Sequence, residues 1–236
     1  MTPSPNGAVA ALARLAFLDG TPADVLARFA AQARWVDAAP EQAVMDYDDP
    51  ATDVFFVVQG EVRVLVRTGD GERTQILGDF GAGDLVGEMS AIDGAPRSAR
   101  VEALVRTRLC IVPAAAFLDL VLGSPHVGLR LLRRLTARIR GQNRLLLERS
   151  ALPTGLRLAA ELLRLSRPCP DGTASISPPP TQEELAERIG ARRETVSREL
   201  SGLARAGLLH RTRAALVVDD PAGLARRVEA VFDPVV

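Results

Sequence analysis

The chain has 236 residues, 47% of them apolar, enough for one large domain or two modest ones without disulfide staples. Its 29 basic residues, all arginine, balance 29 acidic ones, so net charge excludes neither a nucleic-acid partner nor any other. The two cysteines, Cys110 and Cys169, lie far apart in different settings, which excludes a disulfide framework and a cysteine metal cluster. Met1–Ala8 lacks the basic and apolar regions of a secretion signal, and no apolar run approaches the roughly 20 residues of a membrane helix. The expectation is a soluble cytoplasmic chain.

Taken in order, Val9–Leu18 and Pro22–Ala33 read as two short helices, with Thr21 capping and Pro22 opening the second. Strands are expected at Ala43–Tyr47, Asp53–Gln59, Glu61–Thr68, Arg73–Leu77, Ser98–Ala103 and Thr107–Val112. Gly60 and Gly69-Asp70-Gly71 mark tight turns, and Asp49-Pro50 marks another. Many short strands with glycine turns predict an antiparallel β-roll.

Between those strands lies the most informative stretch. Phe80–Ala99 packs glycines, a carboxylate (Glu88), a guanidinium (Arg97) and a hydroxyl (Ser98) into a short polar turn flanked by apolar alternation. Arginine takes a phosphate bidentately, and serine adds a hydroxyl and a backbone N–H. An ionised glutamate only accepts, so it needs donors such as sugar hydroxyls. Phosphate plus ribose points to a nucleotide. The competing reading of Glu88 and Arg97 is a surface ion pair across a turn, a weak and common feature.

Gly83-Asp84-Leu85-Val86-Gly87-Glu88-Met89-Ser90, six further residues, then Arg97-Ser98-Ala99 resembles the phosphate-binding cassette of the cyclic-nucleotide-binding fold. The resemblance implies that Glu88 binds the ribose 2′-hydroxyl and that Arg97 and Ser98 hold the cyclic phosphate. Gly87 would let the backbone approach the sugar, and Met89 would complete the ligand-binding set. Asp53–Val62 resembles the family's second signature, although the glycine-marked turn before it is here Tyr47-Asp48-Asp49-Pro50.

Pro113–Leu122 reads as a short helix. Ser124-Pro125 then starts a long one, to about Arg149, with Leu132, Leu135, Ile139, Gln142 and Leu146 in the 3-4 spacing of a coiled-coil seam. The remaining faces carry Arg130, Arg133, Arg134, Arg138, Arg140 and Arg144, which favours dimerisation over burial within the subunit. Gln142-Asn143 interrupts the seam, either to fix register or to contact a ligand. The family resemblance implies the second, with both residues at the base of the bound nucleotide, although amides replace the family's small hydroxyl residues.

Ala151-Leu152-Pro153-Thr154 breaks the helix and is the candidate hinge. Gly155–Ser166 reads as a helix, and Arg167–Pro180 as loop with a small strand near Ser175–Ser177. Thr181 with Glu184 forms a capping box at the start of a helix. Gly190-Ala191 turns the chain, and Arg192–Ala204 forms a second helix with Val196, Leu200 and Leu203 inward. Leu208–Arg211 and Ala215–Val218 supply a wing, and Asp219-Asp220-Pro221 opens a final helix. Helix, glycine turn, helix is the helix-turn-helix pattern. The outward side of the second helix carries Arg193, Glu194, Ser197 and Arg198, either a solvated face with an i,i+4 pair or a base-reading face.

Arg193-Glu194-Thr195-Val196-Ser197-Arg198 again resembles the cyclic-AMP receptor protein/FNR family of transcription regulators. Arg193, Glu194 and Arg198 would read bases of a TGTGA-N6-TCACA-like palindrome, with Thr181 and Thr195 on phosphates and Ser197 beside them. The resemblance implies an α+β fold: an effector β-roll over 1–122, a dimerisation helix over 123–150 and a winged helix-turn-helix over 151–236. It also implies double-stranded DNA, a cyclic nucleotide (cyclic AMP foremost), a second copy of the chain and RNA polymerase as partners, with no prosthetic group, metal or membrane.

Four alternatives are weighed. An iron–sulfur sensor needs an N-terminal cysteine group, and none precedes Cys110. A haem sensor needs axial ligands, and the only histidines are His126 and His210. A ligand-independent regulator, or one sensing a cyclic dinucleotide, remains open. An enzyme with a regulatory nucleotide domain lacks a catalytic constellation in this sequence.

Overall fold

A computed structural model describes residues 3–68 and 73–232. The turn expected at Gly69-Asp70-Gly71 lies outside the described residues. Backbone packing divides the chain into two units, Met1–Arg138 and Ile139–Val236.

The first unit begins with α1 (Pro5–Leu12), capped by the Ser4 hydroxyl, which accepts from Gly7 N–H at 3.3 Å. The helix expected at Val9–Leu18 therefore starts earlier and ends at Leu12, and a single 3₁₀ turn, Ala16–Leu18, follows. In α2 (Ala23–Ala31) the N-cap is Pro22, without a side-chain cap bond. Thr21 is not the cap: its hydroxyl is buried without a hydrogen-bond partner among the described residues.

Next come β1 (Arg34–Ala38), a strand absent from the sequence reading, β2 (Ala43–Met45), β3 (Val54–Gln59), β4 (Glu61–Thr68), β5 (Arg73–Gly81) and β6 (Leu85–Val86). They are followed by α3 (Glu88–Asp93), β7 (Arg100–Ala103), β8 (Thr107–Val112) and α4 (Ala114–Gly123). Two four-stranded antiparallel sheets result, in the orders β1-β8-β3-β6 and β2-β7-β4-β5. This is the expected β-roll.

Strand β3 reads as an unbroken apolar run because both its faces are buried. Phe55 and Val57 join Val62, Val101, Leu109 and Ile111 in one core cluster. Val54 and Phe56 turn the other way, into a second cluster shared with the helices. There Phe56 meets Phe17 and Phe29 with ring centroids 5.8 and 5.9 Å away. Cys110 lies in the same cluster as a core residue, and burial pushes its thiol up to about 12.

Gly60 is not a hairpin turn. β3 and β4 belong to different sheets, and Gly60 carries the chain from one to the other at φ +89°. A Cβ there would lie 2.5 Å from Thr107 Oγ1 and 2.7 Å from Arg106 O, so the corner excludes any side chain.

Helix α5 (Pro125–Ala151) starts at the expected proline and runs 27 residues, through the division between the units. The second unit continues with α6 (Thr154–Leu165), β9 (Arg167–Pro168), β10 (Ala174–Ile176), α7 (Gln182–Ile189) and α8 (Arg193–Arg205). It closes with β11 (Leu209–Arg211), β12 (Leu216–Val218) and α9 (Pro221–Glu229). The stretch read as loop with one strand is a hairpin, β9–β10, that joins the wing in a sheet of order β11-β12-β10-β9. The final helix, for which the sequence offered no role, buries Leu224 and Val228 in the core formed by Leu158, Leu162, Leu185 and Val196.

Candidate nucleotide site and nucleic-acid interface

The cassette begins where β6 ends. Gly87 caps α3 with a left-handed backbone (φ +85°), which costs glycine nothing. Space demands glycine as well: a Cβ would lie 2.8 Å from Arg97 Nη1 and 2.9 Å from Asp53 O. The turn before β3 is built by Asp49, whose carboxylate accepts from Ala51 N–H at 2.8 Å. The left-handed position falls on Asp48 (φ 64°). Arg97 is tied to that turn by its backbone, through N–H to Asp49 O and through its carbonyl, which accepts from Asp48 N–H.

Arg97 is only 3% exposed. Its Nη1 donates to Gly87 O at 2.9 Å and its Nη2 to Asp53 O at 2.6 Å. Its plane lies over the Phe55 ring, 5.7 Å from the centroid. Its Nε is buried without a partner among the described residues. Burial lowers the pKa of this guanidinium, against the opposing pull of Asp49, Asp53 and Glu88. Ser98, the next residue, and Met89 of α3 are exposed.

Glu88, 2% exposed, does not pair with Arg97 across the turn. It forms a short ion pair with Arg138 of α5, whose guanidinium also lies 4.9 Å from the Phe80 ring centroid. Phe80, Asp84, Leu85, Glu88, Arg134 and Arg138 line a cavity of about 270 Å³ together with Leu131, Leu135 and Ala137. Glu88 therefore faces the cavity, whereas Arg97 and Ser98 are not among its lining residues.

Three of the six arginines expected on the other faces of α5 contact the first unit. Arg130 donates to the carbonyls of Phe17 and Asp19. Arg134 donates to Gly83 O at 2.8 Å and to the Asp84 carboxylate at 3.1 Å. With Arg138 they form three rungs, four residues apart, that fasten this stretch of helix to the roll. Leu135, half-buried, packs against the same core. Leu132, Ile139 and Leu146 remain exposed, and so does Leu129. Gln142 and Asn143 are exposed one turn beyond Arg138.

In the second unit Thr181 forms the expected capping box. Its hydroxyl accepts from Glu184 N–H at 3.1 Å, and the Glu184 carboxylate accepts from Thr181 N–H at 2.9 Å. Gly190 ends α7 with φ 65°. α8 then buries Val196 and leaves Arg193, Glu194 and Arg198 exposed, with Thr195 and Ser197 half-buried. The wing adds a residue that sequence reasoning missed. Arg211 of β11 shares with Arg193, Thr181, Gln182 and Glu183 the lining of an open cleft of about 450 Å³. No local signal marks it: strand alternation would turn Arg211 to the same face as buried Leu209, yet it is exposed.

Comparison with known proteins falls on these same parts. A cyclic nucleotide-binding domain model matches residues 35–123, and a Crp-like helix-turn-helix domain model matches residues 156–227. The two lie in series on one chain, over the roll with its cassette and over the winged unit. The chain belongs to the cyclic-AMP receptor protein/FNR family.

As a member of this family of DNA-binding transcription regulators, the chain pairs a cyclic nucleotide-binding domain with a helix-turn-helix. It is 28% identical over 219 residues to a CRP-like cAMP-activated global transcriptional regulator of Mycobacterium tuberculosis, covering 92% of this chain and 97% of that protein. It is 28% identical over 179 residues to the cAMP-activated global transcriptional regulator Vfr of Pseudomonas aeruginosa, covering 72% of this chain and 82% of Vfr. Among solved structures, the c-di-GMP responsive global regulator CLP of Xanthomonas campestris shares the fold with TM-score 0.72 at 24% identity, over 84% of this chain and 99% of that one. No single helix among the described residues is long and apolar enough to cross a membrane.

Proposed function

We propose that this family member is a homodimeric transcription regulator whose DNA binding is switched by a cyclic nucleotide, with cyclic AMP the first candidate. The observation that carries the reading is the pairing of buried Glu88 with half-buried Arg138. A carboxylate that is 2% exposed must keep a donor, and in the free chain the long helix supplies it. A ribose 2′-hydroxyl is the other donor that fits Glu88. Nucleotide binding therefore competes with, or re-aims, a contact that holds α5. Arg97 holds the phosphate through the N–H capacity left by its two carbonyl contacts, including the unpartnered Nε, and Ser98 adds its hydroxyl. Gly87 and Met89 complete the set, and Gln142 and Asn143 meet the base.

Residues 1–122 serve as the effector domain, 123–150 as the dimerisation helix and 151–236 as the DNA-binding domain. Leu132, Ile139 and Leu146 form the seam between subunits, with Leu135 at its inner edge. The hinge at Leu152–Thr154 places two recognition helices in successive major grooves, about 34 Å apart. Arg193, Glu194 and Arg198 read a TGTGA-N6-TCACA-like palindrome, with Thr181, Thr195 and Ser197 on or beside the backbone. The mechanism is a population shift, with a coupling of about 1–3 kcal/mol between nucleotide and DNA. The regulator works in the cytoplasm, and RNA polymerase is its further protein partner. Cyclic AMP is supported by the Mycobacterium and Pseudomonas relatives, which are named as cAMP-activated regulators. A second reading, a cyclic dinucleotide, is favoured by the amides at Gln142-Asn143 in place of small hydroxyl residues.

The test is fluorescence anisotropy of a labelled TGTGA-N6-TCACA duplex at fixed salt, without nucleotide and with cyclic AMP, cyclic GMP or cyclic di-GMP. The expected result is tight binding with cyclic AMP alone. Equal binding in all four conditions would remove the switch and keep the DNA reading.

A further inference from the structure

Along its last three turns α5 is almost wholly exposed, and Glu148 is the exception at 2% exposure. A carboxylate is costly at such a place unless donors surround it. Arg144, one turn earlier on α5, reaches Glu148 Oε1 with its Nε at 3.1 Å. Arg164 of α6 spans both Glu148 oxygens with its Nη1 at 2.8 Å each. The same guanidinium turns its Nε and Nη2 to Glu161 Oε2, at 2.9 and 2.8 Å. Glu161 is itself buried at 6% exposure, and its other oxygen lies 3.6 Å from Arg188 Nη1 of α7. Burial works against the Arg164 charge, but the two carboxylates outweigh it and raise its pKa above the ordinary value.

These contacts run without a gap from α5 through α6 to the first helix of the helix-turn-helix, and all lie within the second unit. They bridge the two non-helical residues, Leu152 and Pro153, that separate α5 from α6. A leucine at 148 would fill space without the cost of a buried charge, but it would not specify one rotation of α6 about α5. One planar fork gripping two carboxylates on two helices does specify it.

We infer that Glu148, Arg164 and Glu161 are positioning residues: they lock α6 and α7 to the last turn of α5, so that this turn sets where the recognition helix points. The inference deepens the DNA-reading part of the proposed function and rests on it. Its consequence is specific. Placing two recognition helices on a palindrome depends on the lock, whereas the contact of one recognition helix with one half-site does not.

The test compares the full-length wild type with Glu148→Gln and Arg164→Lys, each with and without cyclic AMP. Duplexes carry either TGTGA-N6-TCACA or a single TGTGA half-site, and amide hydrogen exchange is measured on the same proteins. Gln keeps the shape of Glu148, and Lys keeps the charge of Arg164 but cannot bridge both carboxylates. Both variants are expected to lose about tenfold of the palindrome's advantage over the half-site, a usual size for coupling between sites. Half-site affinity stays at the wild-type level. Exchange over Leu152–Leu158 rises about tenfold through local opening, while exchange at Val196 does not change.

An unchanged palindrome advantage with unchanged exchange in both variants overturns the lock. So does a parallel loss of both duplexes with faster exchange at Val196, which marks residues needed only for folding. If the wild type itself does not distinguish the two duplexes, the assigned target sequence fails, and exchange over Leu152–Leu158 then decides the lock by itself.

Discussion

The two functional faces of this regulator hold their charges in opposite states. At the proposed nucleotide site Glu88 and Arg97 are buried, and both are already engaged: Glu88 by Arg138, Arg97 by two backbone carbonyls. On the winged unit Arg193, Glu194 and Arg198 are exposed on the open side of α8. A ligand at the first site must exchange with contacts internal to the protein, so its binding energy is linked to conformation. A ligand at the second exchanges only with water and counterions, so that face is preformed and its use depends on where the unit is carried. A switch needs one site of each kind.

That contrast is most directly broken by mutation on the exposed side. Arg193→Ala is expected to cost about 2–6 kcal/mol of palindrome affinity over two half-sites, at about 1–3 kcal/mol for each bidentate base contact. Calorimetric titration with cyclic AMP should show nucleotide binding unchanged. A parallel loss of nucleotide affinity would mean that the two faces are not separable.

On the buried side, Arg138→Met strands the Glu88 carboxylate. The expected cost is about 3 kcal/mol of stability, the low end for breaking a buried ion pair, because Arg138 is itself a third exposed. Thermal unfolding checks it, and cyclic AMP should raise the midpoint more in the variant than in the wild type, because a ribose hydroxyl restores a donor. Equal midpoints without nucleotide would show that Arg138 is not what satisfies Glu88.

Glu88→Gln keeps the shape and removes the charge. Cyclic AMP affinity is expected to fall by about 1.5–3 kcal/mol, the range for a hydrogen bond to a charged group. Nucleotide-free DNA binding should move as well, because the contact between Glu88 and Arg138 that holds α5 is weakened. Arg211→Ala has the smallest effect: palindromic and random duplexes weaken alike, and the salt dependence of log affinity loses about 0.9 in slope per subunit. Selective loss on the palindrome would move Arg211 from backbone contact to base reading.

How much of this was legible in sequence followed the same division. Exposed, locally determined features read directly: the Thr181–Glu184 capping box, the Gly190 turn and the outward face of α8 depend on residues within a few positions of one another. From sequence Gly87 is expected to admit a sugar; the structure gives glycine two other reasons there, a left-handed turn and the close approach of Arg97 and Asp53. What sequence could not show was where a charged side chain goes when its partner is distant along the chain. Arg130, Arg134 and Arg138 look the same on a helical wheel whether they face water or the roll. The structure brings them to Phe17, Gly83, Asp84 and Glu88. Periodicity likewise finds the apolar face that carries Leu135 but not what it packs against, which includes the core of the first unit. Nothing in the sequence marks Glu148, because its partner Arg164 lies sixteen residues on. Gly60 was seen as a turn, but only sheet pairing reveals it as a corner between sheets.

The central claim is that nucleotide and DNA binding draw on one conformational equilibrium, and linkage makes the two effects reciprocal. The most direct measurement is calorimetric titration of cyclic AMP into the protein, free and saturated with the TGTGA-N6-TCACA duplex, at one salt concentration. The account predicts that the duplex tightens cyclic AMP binding by the same factor, about 5–150-fold, by which cyclic AMP tightens binding of the duplex. Equal cyclic AMP affinity in the free and DNA-bound protein would contradict it.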